Sequence, residues 1–410
     1  MRHALASLKE LPIPCIISLG CSQIIAWASS YYLPAVIAKP MANALGISLS
    51  CVYGAFSVAL VVAALTAPFA GRCIDRFGGK KVLVLSNVLF AGGLLFLAHV
   101  QGLFSLYLAW ACLGMAMGAG LYDMAFATVV RAYGIASSGI IAGITLLGGF
   151  ASTVGWPLSH FLLEQFGWQN TLLVWACLHL AVALPCNMSL VLPKRQSILC
   201  PNPQVVSHRK EETDKSNIIF ILLAVTFACT TFSTTVMASH MPALLHLYGV
   251  TASASIVAGM LFGPAQVSAR IVQLTLLRSC NPASVAFFAA LVIPLGAVSL
   301  LVWGPGAALL VGIFHGLGNG TMTIIKGTLP LQIFGKEGYG QRQGWLFLPA
   351  GIVQACAPFL FSLCIEHIGK NALFVYISCS LVAAVFFAVL GKLQKQSTRM
   401  SVLIHSDMSA

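Results

Sequence analysis

Charge is missing from this sequence over stretches that no water-soluble domain tolerates. Tyr53–Ala70, YGAFSVALVVAALTAPFA, holds none, and neither does Val82–Ala98, VLVLSNVLFAGGLLFLA. Such runs recur along the chain, each about the 20 residues a helix needs to cross a hydrocarbon core of about 30 Å. Of 410 residues, 59% are apolar and 8% charged, against roughly 25% charged in a soluble domain. The chain therefore reads as an all-α integral membrane protein, because a helix satisfies its own backbone hydrogen bonds in lipid. Its lipid surroundings are the bilayer, and the net charge of +12 reports on orientation, not on nucleic-acid binding. The first run, from Ile13 to Val36, is too long and too polar at its centre for a cleaved signal peptide. Thirteen cysteines fall mostly inside apolar runs without a CxxC pair, which points to packing and not to disulfides.

Twelve spans can be drawn: 12–37, 50–70, 82–100, 103–130, 138–163, 168–192, 217–245, 252–276, 283–303, 306–330, 343–365 and 371–391. The only long polar interior segment, PKRQSILCPNPQVVSHRKEETDKSN, separates six from six. This gives a six-helix bundle at 1–192, a linker at 193–217, a second bundle at 218–391 and a tail at 392–410. Lys and Arg stay cytoplasmic in short loops. Placing the N-terminus inside leaves only Lys39 and Lys370 outside, so both termini and the linker are expected in the cytoplasm of a multi-pass inner-membrane protein. The halves also repeat. GISLS at Gly46 and GVTAS at Gly249 open the second and eighth spans, while EQFGWQN at Glu164 and EHIGKNA at Glu366 close the fifth and eleventh. A parallel repeat of this kind suits a carrier that rocks two bundles about a central site.

Between the two uncharged runs lies GRCIDRFGGKK, with five charges in eleven residues. Gly71, Asp75, Arg76, Gly78 and Lys80 resemble the G-x-x-x-D-R-x-G-R-K signature of the major facilitator superfamily, in the same loop of the same twelve-span plan. The resemblance implies that the loop aspartate meets a helix end in the other bundle and locks one state of the transport cycle; a carboxylate suits a helix N-terminus. Gly79 stands where that family usually has a second basic residue, and Arg278 occupies the position equivalent to Asp75 in the second half.

Ionisable groups inside spans are costly and so are functional candidates. Asp123 and Lys326, 203 positions apart in the fourth and tenth spans, are read as gate residues that meet when the cytoplasmic side closes. A helix-end charge facing the GRCIDRFGGKK loop is the alternative for Asp123. Arg270, with Gln266 one turn before it, resembles the Asp-x-x-x-Arg element in the eighth span of monocarboxylate transporters. That resemblance implies an arginine gripping a carboxylate, with glutamine here in place of the acid. The glycine-rich GMAMGAGLY also resembles the fourth span of that group and of the oxalate–formate exchangers, although packing explains its glycines equally well. Gln23, Trp27 and Tyr31 of the first span and His315 and Asn319 of the tenth complete the expected substrate cavity.

The expected function is secondary transport of a small organic anion, by a monomer, either with a coupled proton on Asp123, His315 or the substrate or with no proton at all. No cofactor or metal site is expected. An exporter of amphipathic cations and a non-transporting sensor are the alternatives. HExxH, GxSxG and phosphate-loop motifs are absent, which speaks against an intramembrane enzyme.

Overall fold

The computed structural model describes residues 12–133, 137–193, 213–277, 280–334 and 339–407, and no strand occurs among them. The first half contains α1 (Ile13–Ala28), α2 (Pro34–Leu45), α3 (Leu49–Phe77), α4 (Gly79–Ala98), α5 (Leu103–Gly120), α6 (Tyr122–Tyr133), α7 (Ser137–Gly148), α8 (Ala151–Leu178) and α9 (Leu184–Met188). The second contains α10 (Thr213–Leu247), α11 (Ala252–Thr275), α12 (Pro282–Trp303), α13 (Ala308–Phe334), α14 (Tyr339–Ile368) and α15 (Ala372–Asp407). Eight stretches among the described residues are long and apolar enough to cross a membrane. Three of them, of 50, 53 and 46 residues, turn back at Gly167, Gly304 and Gly369, which have positive φ. The pair α1–α2 is the remaining candidate crossing, since α1 alone is short. Most of the polar linker expected at 193–217, and Arg278, lie outside the described residues.

The repeat read in the sequence has a structural form. Gly46 at φ 64° and Gly249 at φ 83° each turn the chain, and two residues later Ser48 and Thr251 cap the next helix by accepting from the amides of Cys51 and Ala254. Glycine fits these turns because other residues are strained at positive φ. The helix contacts repeat as well. A Cβ on Gly114 or Gly118 of α5 would lie 2.4 Å from the carbonyls of Ala59 and Ala63 on α3. On Gly316 and Gly320 of α13 it would lie 2.6 and 2.4 Å from those of Phe262 and Gln266 on α11. These glycines let two backbones touch, as small residues do between membrane helices.

Several spans differ from their expected form. The first runs on to Leu45, past Pro34 and Pro40, because both prolines are accommodated at or within α2; it is interrupted at 29–33. The fourth is broken at Leu121, which takes an extended ψ of −172°, and the fifth at residues 149–150. A short π-helical segment, His179–Ala183, interrupts the sixth.

The segment expected as a basic loop is helical apart from Gly78: Arg72 and Arg76 lie in the last turns of α3 and Lys80 and Lys81 in the first turn of α4, and together they mark one end of the bundle. At the opposite end the halves are tied together: Glu366 accepts from the Ser50 amide at 2.9 Å, the Tyr53 hydroxyl donates to the Ser239 carbonyl at 2.9 Å, and the Phe359 amide donates to Ser57 at 3.3 Å. Deeper in, Tyr31 bonds Thr235 at 2.8 Å and Thr153 donates to the Met260 carbonyl at 2.9 Å. Among the described residues, the hydrogen bond between halves nearest the basic end is that from Arg270 to the Thr145 carbonyl. Asp123 and Thr323, though inside spans, are exposed. Among the described residues, the hydrogen bonds between the halves thus gather toward the end opposite the basic segment.

Candidate functional site

Arg270 sits on α11 five residues before its end, 5% exposed. One Nη donates to the Thr145 carbonyl of the first half; the other reaches Gln266 Oε1 at 3.3 Å and Thr323 Oγ1 at 3.4 Å within its own half. Its Nε–H is buried without an acceptor. No carboxylate pairs with it: the ion pair found among the described residues is His160–Glu164. A buried donor left unmade costs about 1–3 kcal/mol, more when it is charged. Its fork of donors matches a carboxylate. Gln266 lies beside it, as the helical spacing implied.

Aromatic rings from the first half face this guanidinium. The Tyr122 hydroxyl lies against Gly148 and beside Arg270, and Tyr32 lies beside Gln266 and Arg270. Trp27 stands between them, its ring centroid 5.1 Å from Tyr122 and 6.5 Å from Tyr32. All three are half-buried. Tyr32, Tyr122, Thr145 and Thr323 were missed by sequence reasoning. Tyr32 adjoins Tyr31 and Tyr122 adjoins Asp123, but the breaks at 29–33 and at Leu121 reset which helix face turns inward, and periodicity does not carry across them.

The other expected cavity residues are distributed differently. Gln23 is fully buried. Its amide donates to the Gly120 carbonyl at 2.7 Å, freed by the break at Leu121, and accepts from the Trp27 indole at 3.2 Å. It braces the site from behind. Tyr31 joins the halves, bonding Thr235 and receiving Gln354 at 3.4 Å. His315 does not line the cavity: it is fully buried, 4.9 Å from Phe262 in a ring stack, with Nδ1 2.6 Å from the Tyr376 hydroxyl. Both of these partners belong to the second half. Asn319 is half-buried and accepts from Thr234 at 2.8 Å. Trp27 alone of the first-span candidates keeps a half-exposed ring at the site.

The gate residues stand apart from the second half in this conformation. Asp75, Arg76 and Lys80 are exposed, Arg76 lying over Phe77 at 5.2 Å, and Gly71 has open space around it. Gly78, at φ 93°, ends α3, and Arg131 of α6 donates to the neighbouring Ile74 carbonyl. Gly79 is glycine for a steric reason, since a Cβ there would fall 2.0 Å from Thr128 Oγ1. That contact accounts for the missing basic residue of the signature. Lys326 donates to Thr231 at 2.8 Å, and it forms no ion pair with Asp123 here.

Residues 19–329 match the family model of the Major Facilitator Superfamily, and the chain belongs to that family. Over 177 residues it is 29% identical to Monocarboxylate transporter 9 of Gallus gallus, covering 40% of this chain and 34% of that protein. Over 142 residues it is 28% identical to the purine ribonucleoside efflux pump NepI of Shigella sonnei, covering 34% of this chain and 35% of that one. The chain thus spans about a third of the length of these curated relatives. Its fold is shared with the nucleoside transporter NupG, at a TM-score of 0.72 and 13% identity over 92% of this chain and 98% of that one. Membership in this family, with relatives named as transporters, sets aside the enzyme reading.

Proposed function

We propose that this chain is a secondary transporter that moves a small organic anion, such as a monocarboxylate, across the membrane by alternating access. The observation that carries the reading is Arg270: a buried guanidinium bonded to both halves, with a buried N–H that lacks an acceptor. A cationic solute would meet the wrong charge there. The similar proteins are named for monocarboxylates and for purine ribonucleosides, so the choice of solute rests on this residue.

In this reading the two halves, 1–192 and 218–391, rock as bundles in a monomer, and the basic end faces the cytoplasm of an inner membrane, with both termini inside. The conformation described is then the inward-facing one. Asp75, with Gly71, Arg76, Gly78 and Lys80, acts in the opposite state, when the basic end closes against the second half and Asp123 approaches Lys326. The anion site comprises Arg270, Gln266, Trp27 and Asn319, with Gln23 and Tyr31 supporting it. A coupled proton, if one is used, travels on Asp123 or on the substrate.

Uptake of radiolabelled carboxylates into proteoliposomes tests the reading. Arg270→Gln abolishes uptake and equilibrium binding, while Arg270→Lys, which keeps charge but loses the fork, weakens binding about ten-fold or more. Undiminished carboxylate uptake by the Gln variant, or a cationic substrate, ends the proposal.

A further inference from the structure

Resting on the anion reading of Arg270, we infer that the anion carries a flat apolar body: the site takes an aromatic monocarboxylate in preference to a short aliphatic acid or a polyhydroxylated solute.

The first observation is a continuous wall of rings. From Tyr32 through Trp27 and Tyr122 to Phe126, successive centroids are 6.5, 5.1 and 5.2 Å apart. All four side chains are half-buried, so each keeps part of its surface uncovered. Two of them, Tyr32 and Tyr122, lie directly beside Arg270 or its partner Gln266. A carboxylate held at Arg270 therefore points its remaining atoms along ring faces and edges, where another aromatic ring packs best.

The second observation concerns hydrogen bonds. The Trp27 indole N–H is spent on Gln23, and Gln23 is spent on Trp27 and Gly120. Thr145 donates to the Ala142 carbonyl, Thr323 to that of Asn319, and Asn319 accepts from Thr234. These groups are thus engaged within the protein, while the Arg270 Nε–H is buried without an acceptor and the Tyr32 and Tyr122 hydroxyls lie beside Gln266 and Arg270. A sugar or nucleoside would lose its water contacts to a wall that returns few. A solute with one anionic group and an otherwise apolar ring loses little. Asp123, exposed next to Tyr122 in the sequence, opposes a second negative charge.

Equilibrium binding to the purified full-length protein in nanodiscs distinguishes the possibilities, with phenylacetate, cyclohexylacetate, acetate and uncharged benzyl alcohol as probes. Phenylacetate is expected to bind about ten-fold or more tightly than acetate and more tightly than the non-planar cyclohexyl acid. Tyr122→Leu brings the phenylacetate-to-acetate ratio near one, and Tyr122→Phe preserves the ratio. Should Tyr122→Leu fail to fold, Phe126→Leu is expected to lower the same ratio. Equal binding of phenylacetate and acetate by the native protein, with both lost in Arg270→Gln, overturns the aromatic inference and leaves the anion reading standing. Binding of benzyl alcohol but of neither acid, or no binding by any probe acid, overturns both.

Discussion

The carboxylate of Glu366, on the last turn of α14, accepts the Ser50 amide at the first turn of α3. One half of the molecule thereby caps a helix of the other, at the end opposite the basic segment. An anion at a helix N-terminus contributes about 0.3–1 kcal/mol. Glu366→Gln keeps the shape and removes the charge, and it is expected to shift the balance between the two states about two- to five-fold toward opening at that end. Spin labels placed on the ends of α3 and α14 would report this by double electron–electron resonance; an unchanged distance distribution would rule the cap out as a latch. Asp75→Asn at the basic end is expected to bias the balance in the reverse direction and to slow transport, leaving substrate affinity within a few fold.

The duplicated glycine contacts give matched expectations in the two halves. Gly118→Ala and Gly320→Ala each force a methyl to within 2.4 Å of a carbonyl oxygen on the partner helix. Overpacking of this kind costs about 1–3 kcal/mol, so both variants should unfold at lower temperature in a detergent melt. Gly92→Ala, where nothing lies within 4 Å, serves as the control and should melt like the native protein.

Gln23→Leu separates bracing from contact. It strips partners from the half-buried Trp27 indole and from the buried Gly120 carbonyl, whose orphaning costs about 1–3 kcal/mol. The expected result is a lower melting temperature, with the ranking of bound carboxylates unchanged. A changed ranking at native stability would return Gln23 to the list of direct contacts.

Orientation is open to a thiol test. Cys73 lies exposed in the basic segment. In a variant that retains it as the sole cysteine, a membrane-impermeant maleimide should label inverted vesicles and spare intact cells. Labelling of intact cells would place the basic end outside and reverse the proposed topology.

Much of the architecture was legible because hydropathy and charge act over whole spans. The alternation of apolar runs, the turn glycines at Gly46 and Gly249, and the charged segment at Gly71–Lys81 all needed no three-dimensional knowledge. The closeness of Arg270 and Gln266 was legible because a charge in an apolar helix stands out and the spacing of four places both on one face. His315 stood out for the same reason, and its bond to Tyr376 and stacking on Phe262 fit the packing role that a lone histidine in an apolar run more often has. The partners of Arg270 were hidden because three first-half spans break near the site, and a break changes the direction of every side chain beyond it. Nothing in one-dimensional spacing announced that the Thr145 carbonyl would be available to a guanidinium 125 positions away.

Those breaks also divide the labour between the two halves. Interruptions at 29–33, at Leu121 and at 149–150 all fall in the first half, together with the π-helical segment at His179. Among the described residues, α10, α11, α13, α14 and α15 run through without interruption, despite the prolines within four of them. Arg270 is thus mounted on a stiff member, whereas Trp27, Tyr32 and Tyr122 stand beside joints. Differently shaped anions would be accommodated by flexing the first half around a stationary charge, so broadening the range of solutes should come from substitutions at the joints and not at the arginine.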